Sequence, residues 1–351
     1  MSFRGVRPAG SEAERAVLEA IRSSLPASTR ATVESCLAMT RPDVARALHV
    51  LLAAFGAALG LFWPAVGAVV VGVAGLGLAL EADGRMGPMR LAWPRRPAYN
   101  LDVALPAPTD VGGTVVLVIP ADTPRGPPFR RFAAWRHVAV LVAGSAVWFA
   151  LRAMDVPWDG DAVWIGAALV AGATLSVGEL WPFGPAAEDA GTPRIWLELL
   201  DDLARNPPPA LAIRGVVVAA GHAGGDGLGA WLARHGRLLA DPVLFIGLDA
   251  VGQGPFAVAD AEVGLIRHPH RPTGPALAER VAWAGQDIGR TSLPATSLLG
   301  PAVVDGRRTA LLVGRGGDGP GDGARQRVRA MIELFASDVV VARRAGAVGR
   351  P

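Results

Sequence analysis

From Ala47 to Leu80 the chain runs 34 residues without an Asp, Glu, Lys or Arg. Crossing the hydrocarbon of a bilayer takes about 20 apolar helical residues, so this run is too long for one span and just enough for two short ones. Trp63-Pro64, near its middle, supplies a helix break and an interfacial aromatic. The pattern predicts a helical hairpin, Ala47–Phe62 then Ala65–Leu80. His49, near its start, reads as a packed or interfacial residue rather than a ligand.

A second pair follows. "HVAVLVAGSAVWFAL" lies between Arg136 and Arg152, whose long side chains can reach the interfaces. "DVPWDGD" is a polar turn, and Ala162 to Gly178 is a further apolar run. Trp148, Trp158, Trp164 and Trp181 lie towards the ends of these runs, as an interfacial belt would. Four transmembrane helices in two inserted hairpins are therefore expected. Composition agrees, with 51% hydrophobic residues and a mean hydropathy of +0.34. All 34 basic residues are arginine. Arg41, Arg46, Arg85, Arg90, Arg95, Arg96, Arg130, Arg131 and Arg136 fall on the side of the long polar segments, whereas Arg152 and several aspartates fall on the other. Positive charge marks the cytoplasmic side. The expected arrangement is a multi-pass protein of the inner (plasma) membrane, with the lipid bilayer as partner and with the polar domain and both termini cytoplasmic.

The formal net charge is only +3, and no basic stripe with interleaved aromatics is present, so a nucleic-acid partner is not expected. The single cysteine, Cys36, excludes an internal disulfide and a cysteine-rich zinc site. The polar N-terminus has no apolar h-region, so no secretory signal peptide is expected. "SEAERAVLEAIRSSL" reads as an amphipathic helix opened by a capping box, Ser11 with Glu14.

Outside the apolar runs, strands and helices alternate. Strands are predicted at Asn100–Leu105, Val115–Ile119, Ile213–Ala220, Val243–Leu248 and Thr309–Val313. Helices are predicted at Arg194–Arg205, Ala230–Leu239, Pro275–Ile288 and Ala324–Arg344. Thr192-Pro193 is a suitable start for the first of these. Continuous apolar strands alternating with helices predict an α/β fold, a mixed and mostly parallel sheet covered on both faces. Strands on both sides of the second hairpin must meet in one sheet, which requires an even number of spans between them. The expected organisation is an N-terminal helical part (1–45), a first hairpin (46–81), the first strands (82–132), a second hairpin (133–181) and the rest of the domain (182–351).

Three stretches carry a resemblance. "YNLDVALPAPTDVGGTVVLVIPADTPRG" is similar to the opening strands and metal-binding loop of the di-zinc aminopeptidases, peptidase family M-twenty-eight. "GPAAEDAGTPRIWLELLDDLARNPPPALAIRGVVVAAGHAGG" is similar to that family's acidic loop, helix and next central strand. "PVLFIGLDAVGQG" is similar to the strand ending in a ligand aspartate. The order of elements resembles bacterial members that carry two membrane hairpins within the peptidase chain.

The resemblance implies a zinc-exopeptidase-like fold and a set of ligand positions that this chain has largely replaced. The first histidine ligand falls on Pro120, which has no donor atom. Asp122 remains, at the place of an aspartate that orients that histidine from outside the coordination sphere. The bridging aspartate falls on Glu188 or Asp189. The paired glutamates, general base then ligand, fall on His222 and Ala223, so His222 is the candidate catalytic residue. Asp249 matches a further metal ligand, and no histidine lies near the last strand. A two-zinc hydrolase needs several carboxylate and imidazole ligands and a base for the bound water. The expectation is thus a pseudopeptidase, a binding or structural module taking a peptide or protein in the old cleft, with no cofactor. The alternative is a divergent zinc aminopeptidase using one metal or substitute ligands such as His222 or Asp226.

Other features read as structural. His268 and His270 in "RHPH" form an alternate-residue pair in a proline-flanked loop. "GRGGDGPGDG" lacks the Gly-Lys-Ser/Thr of a phosphate loop. Asp201 and Asp202 fit a solvated helix face, and Ser292 and Ser297 lack a nucleophile-elbow pattern.

Overall fold

The structure is a computed structural model. It describes residues 7–39, 42–60, 62–82, 94–123, 132–154, 191–251, 256–263, 267–269, 277, 279–281, 289–294, 298–314 and 322–348. In chain order the elements are α1 (Glu12–Ser23), β1 (Arg30–Ala38), α2 (Pro42–Gly60), α3 (Pro64–Ala82), β2 (Arg96–Ala104), β3 (Gly113–Pro120), α4 (Phe132–Ala153), α5 (Gly191–Arg205), β4 (Leu211–Val218), α6 (Asp226–His235), β5 (Val243–Asp249), β6 (Phe256–Val263), β7 (Arg267–Pro269), β8 (Gly289–Pro294), α7 (Gly300–Val304), β9 (Arg308–Gly314) and α8 (Asp322–Val348).

The strands form one sheet in the order β1-β2-β4-β3-β5-β9-β6-β7, with β8 also paired to β6. The five predicted strands are present as β2, β3, β4, β5 and β9. The sheet is mixed, and less parallel than the sequence suggested. Parallel pairing holds across β4, β3, β5 and β9 and between β6 and β8. The flanks are antiparallel: β1 on β2, β2 on β4, β6 on β9 and β6 on β7. β1, β6, β7 and β8 carry no continuous apolar run, which is why the sequence did not announce them. In β1 (RATVESCLA) only Cys36 and Ala38 are buried, because an edge strand needs little apolar cover.

β3 shows why the centre reads so clearly. All eight of its residues are buried, so apolar side chains are required on both faces. On one face α1, α5 and α8 bring Leu18, Ile21, Trp196, Leu199, Ile332 and Phe335 against Val115, Leu117 and Ile246. On the other, Leu228, Trp231, Leu299 and Ala302 pack on Val116, Val118 and Phe245. Each such buried side chain contributes about 1.5–3 kcal/mol. Trp196 is fixed twice over: its indole N–H donates to Leu117 O at 3.2 Å, and a Cβ on Gly215 would come within 2.5 Å of its ring. β4 therefore needs glycine where that ring crosses it.

The first apolar run is a helical hairpin, as expected. α3 opens on Pro64, where a missing N–H costs nothing. The helices touch through small residues; a Cβ on Gly67 would lie 2.4 Å from Gly60 Cα. α4 packs beside them, and Val50, Ala57, Val71, Leu78 and Phe149 form the shared core of a three-helix bundle. Four spanning helices are not what the structure supports. Among the described residues one helix is long and apolar enough to cross a bilayer, over Pro64–Glu81, and the apolar part of α2 is the shorter stretch Ala47–Gly60. α2 has 19 residues, but its first turns hold Asp43 and Arg46. The expected fourth span, Ala162–Gly178, lies outside the described residues.

Candidate functional site

The three central parallel strands each deliver one ionisable residue to the same end of the sheet. Asp122 lies two residues beyond β3, His222 four beyond β4, and Asp249 closes β5. That end, just past the carboxyl ends of parallel strands, is where α/β sheets place their ligands. The turns there are tight: Ala220 (φ 50) and Ala250 (φ 54) both take the left-handed conformation disfavoured for residues with a Cβ.

His222 joins the three. Its Nε2 lies 2.9 Å from Asp249 Oδ1, and its Nδ1 lies 3.1 Å from the backbone carbonyl of Asp122. Carbonyl and carboxylate oxygens only accept, so both ring nitrogens must donate. Its backbone N–H also donates to the Asp122 carboxylate, at 3.2 and 3.1 Å. Burial would push the imidazole towards neutrality, but the Asp249 and Asp122 carboxylates outweigh it and raise the pKa to about 10. Asp122 is only 2% exposed.

The imidazole beside Asp122 is that of His222, arriving from β4 and meeting the Asp122 backbone carbonyl through Nδ1, and not a residue at position 120. Pro120 ends β3 opposite Val218. A Cβ on Gly221 would meet the proline ring at 2.9 Å, so proline fills the space in which a longer side chain would turn. Ala223, in the same loop, is buried and has no donor. Glu188 and Asp189, the alternatives for the bridging ligand, lie outside the described residues, and the expected helix Pro275–Ile288 lies largely outside them. Asp226 begins α6, and its carboxylate accepts from the Met39 N–H at 2.8 Å; its position ties that loop to the chain entering α2.

Two buried residues of the site were not foreseen. Glu14 sits in the first turn of α1, where its N–H reaches Ser11 Oγ at 3.2 Å, one half of the expected capping box. Its carboxylate accepts from Gly10 N at 2.7 Å and from Ala220 N at 2.9 Å, holding the strained residue before the His222 turn. Burial first, then the Asp122 charge, raises its pKa to about 7. Arg7, 2% exposed, donates through Nε to Ala121 O at 2.9 Å, and its backbone exchanges hydrogen bonds with Thr123. The only signal for these partners was the burial of charged residues, which a sequence does not display. Asn100 pins the same loop, accepting from Ala219 N and donating to Gly227 O.

Among the described residues, the implied ligand positions do not make up a two-zinc centre. Pro120 and Ala223 offer no ligand atom, and His222 and Asp249 are bonded to each other. Among the described residues, the group of three potential metal donors within 4.8 Å of one another lies elsewhere: Glu34, Asp102 and His235, on β1, β2 and α6. There Arg234 and His235 bond Glu34, while Arg214 and the Trp231 indole N–H bond Asp102. It is a network of ion pairs. His268 lies on β7, and His270 lies outside the described residues.

No protein-family profile matches the chain, and no curated protein matches it. Among solved structures it is similar to an aminopeptidase from Aneurinibacillus sp. strain AM-1, at 10% identity and a TM-score of 0.47 over 95% of this chain and 90% of that one. A glutaminyl cyclase from Bacteroides thetaiotaomicron gives 12% identity and a TM-score of 0.42 over 94% and 91%. A zinc aminopeptidase from Bacillus subtilis gives 12% and 0.40 over 68% of this chain, which spans only 50% of that structure's length. Such likeness says nothing of activity.

Proposed function

We propose that this is a membrane-embedded pseudopeptidase: an aminopeptidase-like domain that binds a peptide or protein without hydrolysing it. One observation carries the reading. Both ring nitrogens of His222 face obligate acceptors, Asp249 Oδ1 and the Asp122 carbonyl. The residue at the position of the general base therefore has no lone pair to offer a water or a metal. The side chain joins the β3, β4 and β5 loops as an ionic clamp.

Membrane embedding is part of the same reading. α3 has 19 residues, about 28 Å of helix at 1.5 Å per residue, close to the thickness of bilayer hydrocarbon. Its outer face exposes Val69, Val73 and Leu76, and the hairpin tip exposes Phe62 and Trp63. Phe149 packs over Gly60, so the end of α4 lies at that tip, with Arg152 stacked on Trp148 as at an interface. β3 and β4 are paired neighbours in the sheet, so a chain that leaves through α4 returns before β4. With arginine concentrated on the domain side, the domain faces the cytoplasm, in the inner (plasma) membrane.

The test is the metal content of the detergent-purified chain after dialysis against trace zinc. Less than one zinc per chain is expected. One zinc per chain or more would overturn the reading in favour of the divergent aminopeptidase, with ligands to be sought at Glu188, Asp189 and Asp226.

A further inference from the structure

Three connections between the sheet and the helical bundle have both ends described. β1 ends at Ala38 and α2 begins at Pro42; α3 ends at Ala82 and β2 begins at Arg96; β3 ends at Pro120 and α4 begins at Phe132. Ala38 pairs with Arg96. β2 runs antiparallel to β4 with Leu101 opposite Val217, so its first residue lies beyond the carboxyl end of β4. Pro120 pairs with Val218. The three connections therefore cross at one end of the sheet, at the base of the bundle.

That crossing is where the chain concentrates positive charge. Residues 39–46, 81–96 and 121–136 hold ten arginines against Asp43, Glu81, Asp83 and Asp122, a net charge of +6, whereas the whole chain carries +3 and the remainder is therefore net −3. Two of the four acids do not offset the arginines at the surface, since Glu81 is 1% and Asp122 2% exposed. Three of the arginines have a described place. Arg46 is the fifth residue of α2 and Arg136 the fifth of α4. The apolar stretch Ala47–Gly60 begins directly after the first of them. Helix dipoles favour cations at the opposite end, so neither arginine is placed for the benefit of its own helix. Arg96 opens β2, is exposed, and has no carboxylate partner among the described residues. The far end of the hairpin, residues 61–63, carries no charge.

We infer that this end of the domain is a collar that gathers acidic phospholipids, with Arg46, Arg96 and Arg136 among the groups that hold their phosphodiesters. This rests on the membrane-embedded reading above. A guanidinium presents paired N–H donors that match two phosphate oxygens at once. The neighbouring surface selects a lipid as the source of the phosphate. The arginines lie at the base of a bundle whose outer face exposes Val69, Val73 and Leu76, so a headgroup held there has its acyl chains beside apolar helix. A nucleic acid offers the phosphates without the chains and leaves that face uncovered.

The experiment uses the full chain reconstituted in phosphatidylcholine. Brominated phosphatidylglycerol or brominated phosphatidylcholine is exchanged in, and tryptophan quenching reads their relative affinities. Phosphatidylglycerol is expected to be preferred several-fold at low salt, and molar sodium chloride to remove most of that preference by screening. Arg96→Gln, which breaks no ion pair among the described residues, should weaken the preference by up to about fivefold, the weight of one cation at an anionic surface. The triple variant Arg46→Gln/Arg96→Gln/Arg136→Gln should weaken it further. Inorganic phosphate at constant ionic strength should leave it unchanged. Equal affinity for the two lipids overturns the inference while leaving membrane embedding intact. A chain that neither brominated lipid quenches and that carbonate extracts overturns the membrane reading itself. A preference undiminished in both variants overturns the assignment to these arginines, and one abolished by inorganic phosphate overturns the lipid in favour of a soluble phosphate anion.

Discussion

Two clusters in this chain each set one imidazole against two carboxylates, and they differ in what else is present. At the strand ends the His222 ring bonds Asp249 Oδ1 and lies 3.5 Å from the Asp122 carboxylate, so it is the cation beside both. On the β1–β2 flank His235 bonds Glu34, but Arg234 bonds the same carboxylate and Arg214 holds Asp102. The same residue types therefore make a clamp in one place and one strand of a redundant net in the other. What matters is how many other cations reach the carboxylates.

The largest effect should come from removing the clamp. His222→Ala leaves two acids facing each other with their shared cation gone, and breaking a buried pair costs about 3–5 kcal/mol. Thermal or denaturant unfolding in detergent would show it; a loss below about 1 kcal/mol would mean the three loops hold without His222.

Next in size is a pH effect from Glu14, behind the same clamp. Its folded pKa lies near 7 against an ordinary 4.5, so between those values the folded chain keeps a proton that the unfolded chain has released. The Glu14 contribution should therefore fall as pH rises from about 4.5 to 7, by up to about 3 kcal/mol, and above about pH 6.5 the fall continues as stability held by protonated His222, with a folded pKa of about 10, is lost. Melting curves across that window check the slope. Glu14→Gln should flatten it, whatever it does to absolute stability; an unchanged slope would assign the titration to another group.

The smallest effect belongs to the second cluster. His235→Ala should cost less than His222→Ala, because Arg234 still pairs Glu34 when the imidazole is gone. A cost equal to that of His222→Ala would erase the distinction between the clusters.

The centre of the domain was legible because β3, β4 and β5 are buried on both faces, and burial on both faces writes an unbroken apolar run. β1, β7 and β8 were not, since edge and short strands need no such run, nor was β6, whose apolar stretch stops at Ala259 before Asp260. Among site residues, Asp122 and Asp249 were placed by the family resemblance, helped by the readable strand that precedes each. His222 could be located but not assigned a partner, because the glycine-rich turn after β4 leaves its direction open.

By itself the sequence determined where the apolar segments lie, which strands are central, and that position 120 has no ligand atom. Those are properties of single residues and of their spacing along the chain. The tertiary structure decided that His222 turns onto Asp249, that Glu14 and Arg7 brace the loops from the opposite end of the chain, and that the three exits among the described residues share the site's end of the sheet. These depend on pairing between segments as much as 206 residues apart, a relation that no local pattern encodes.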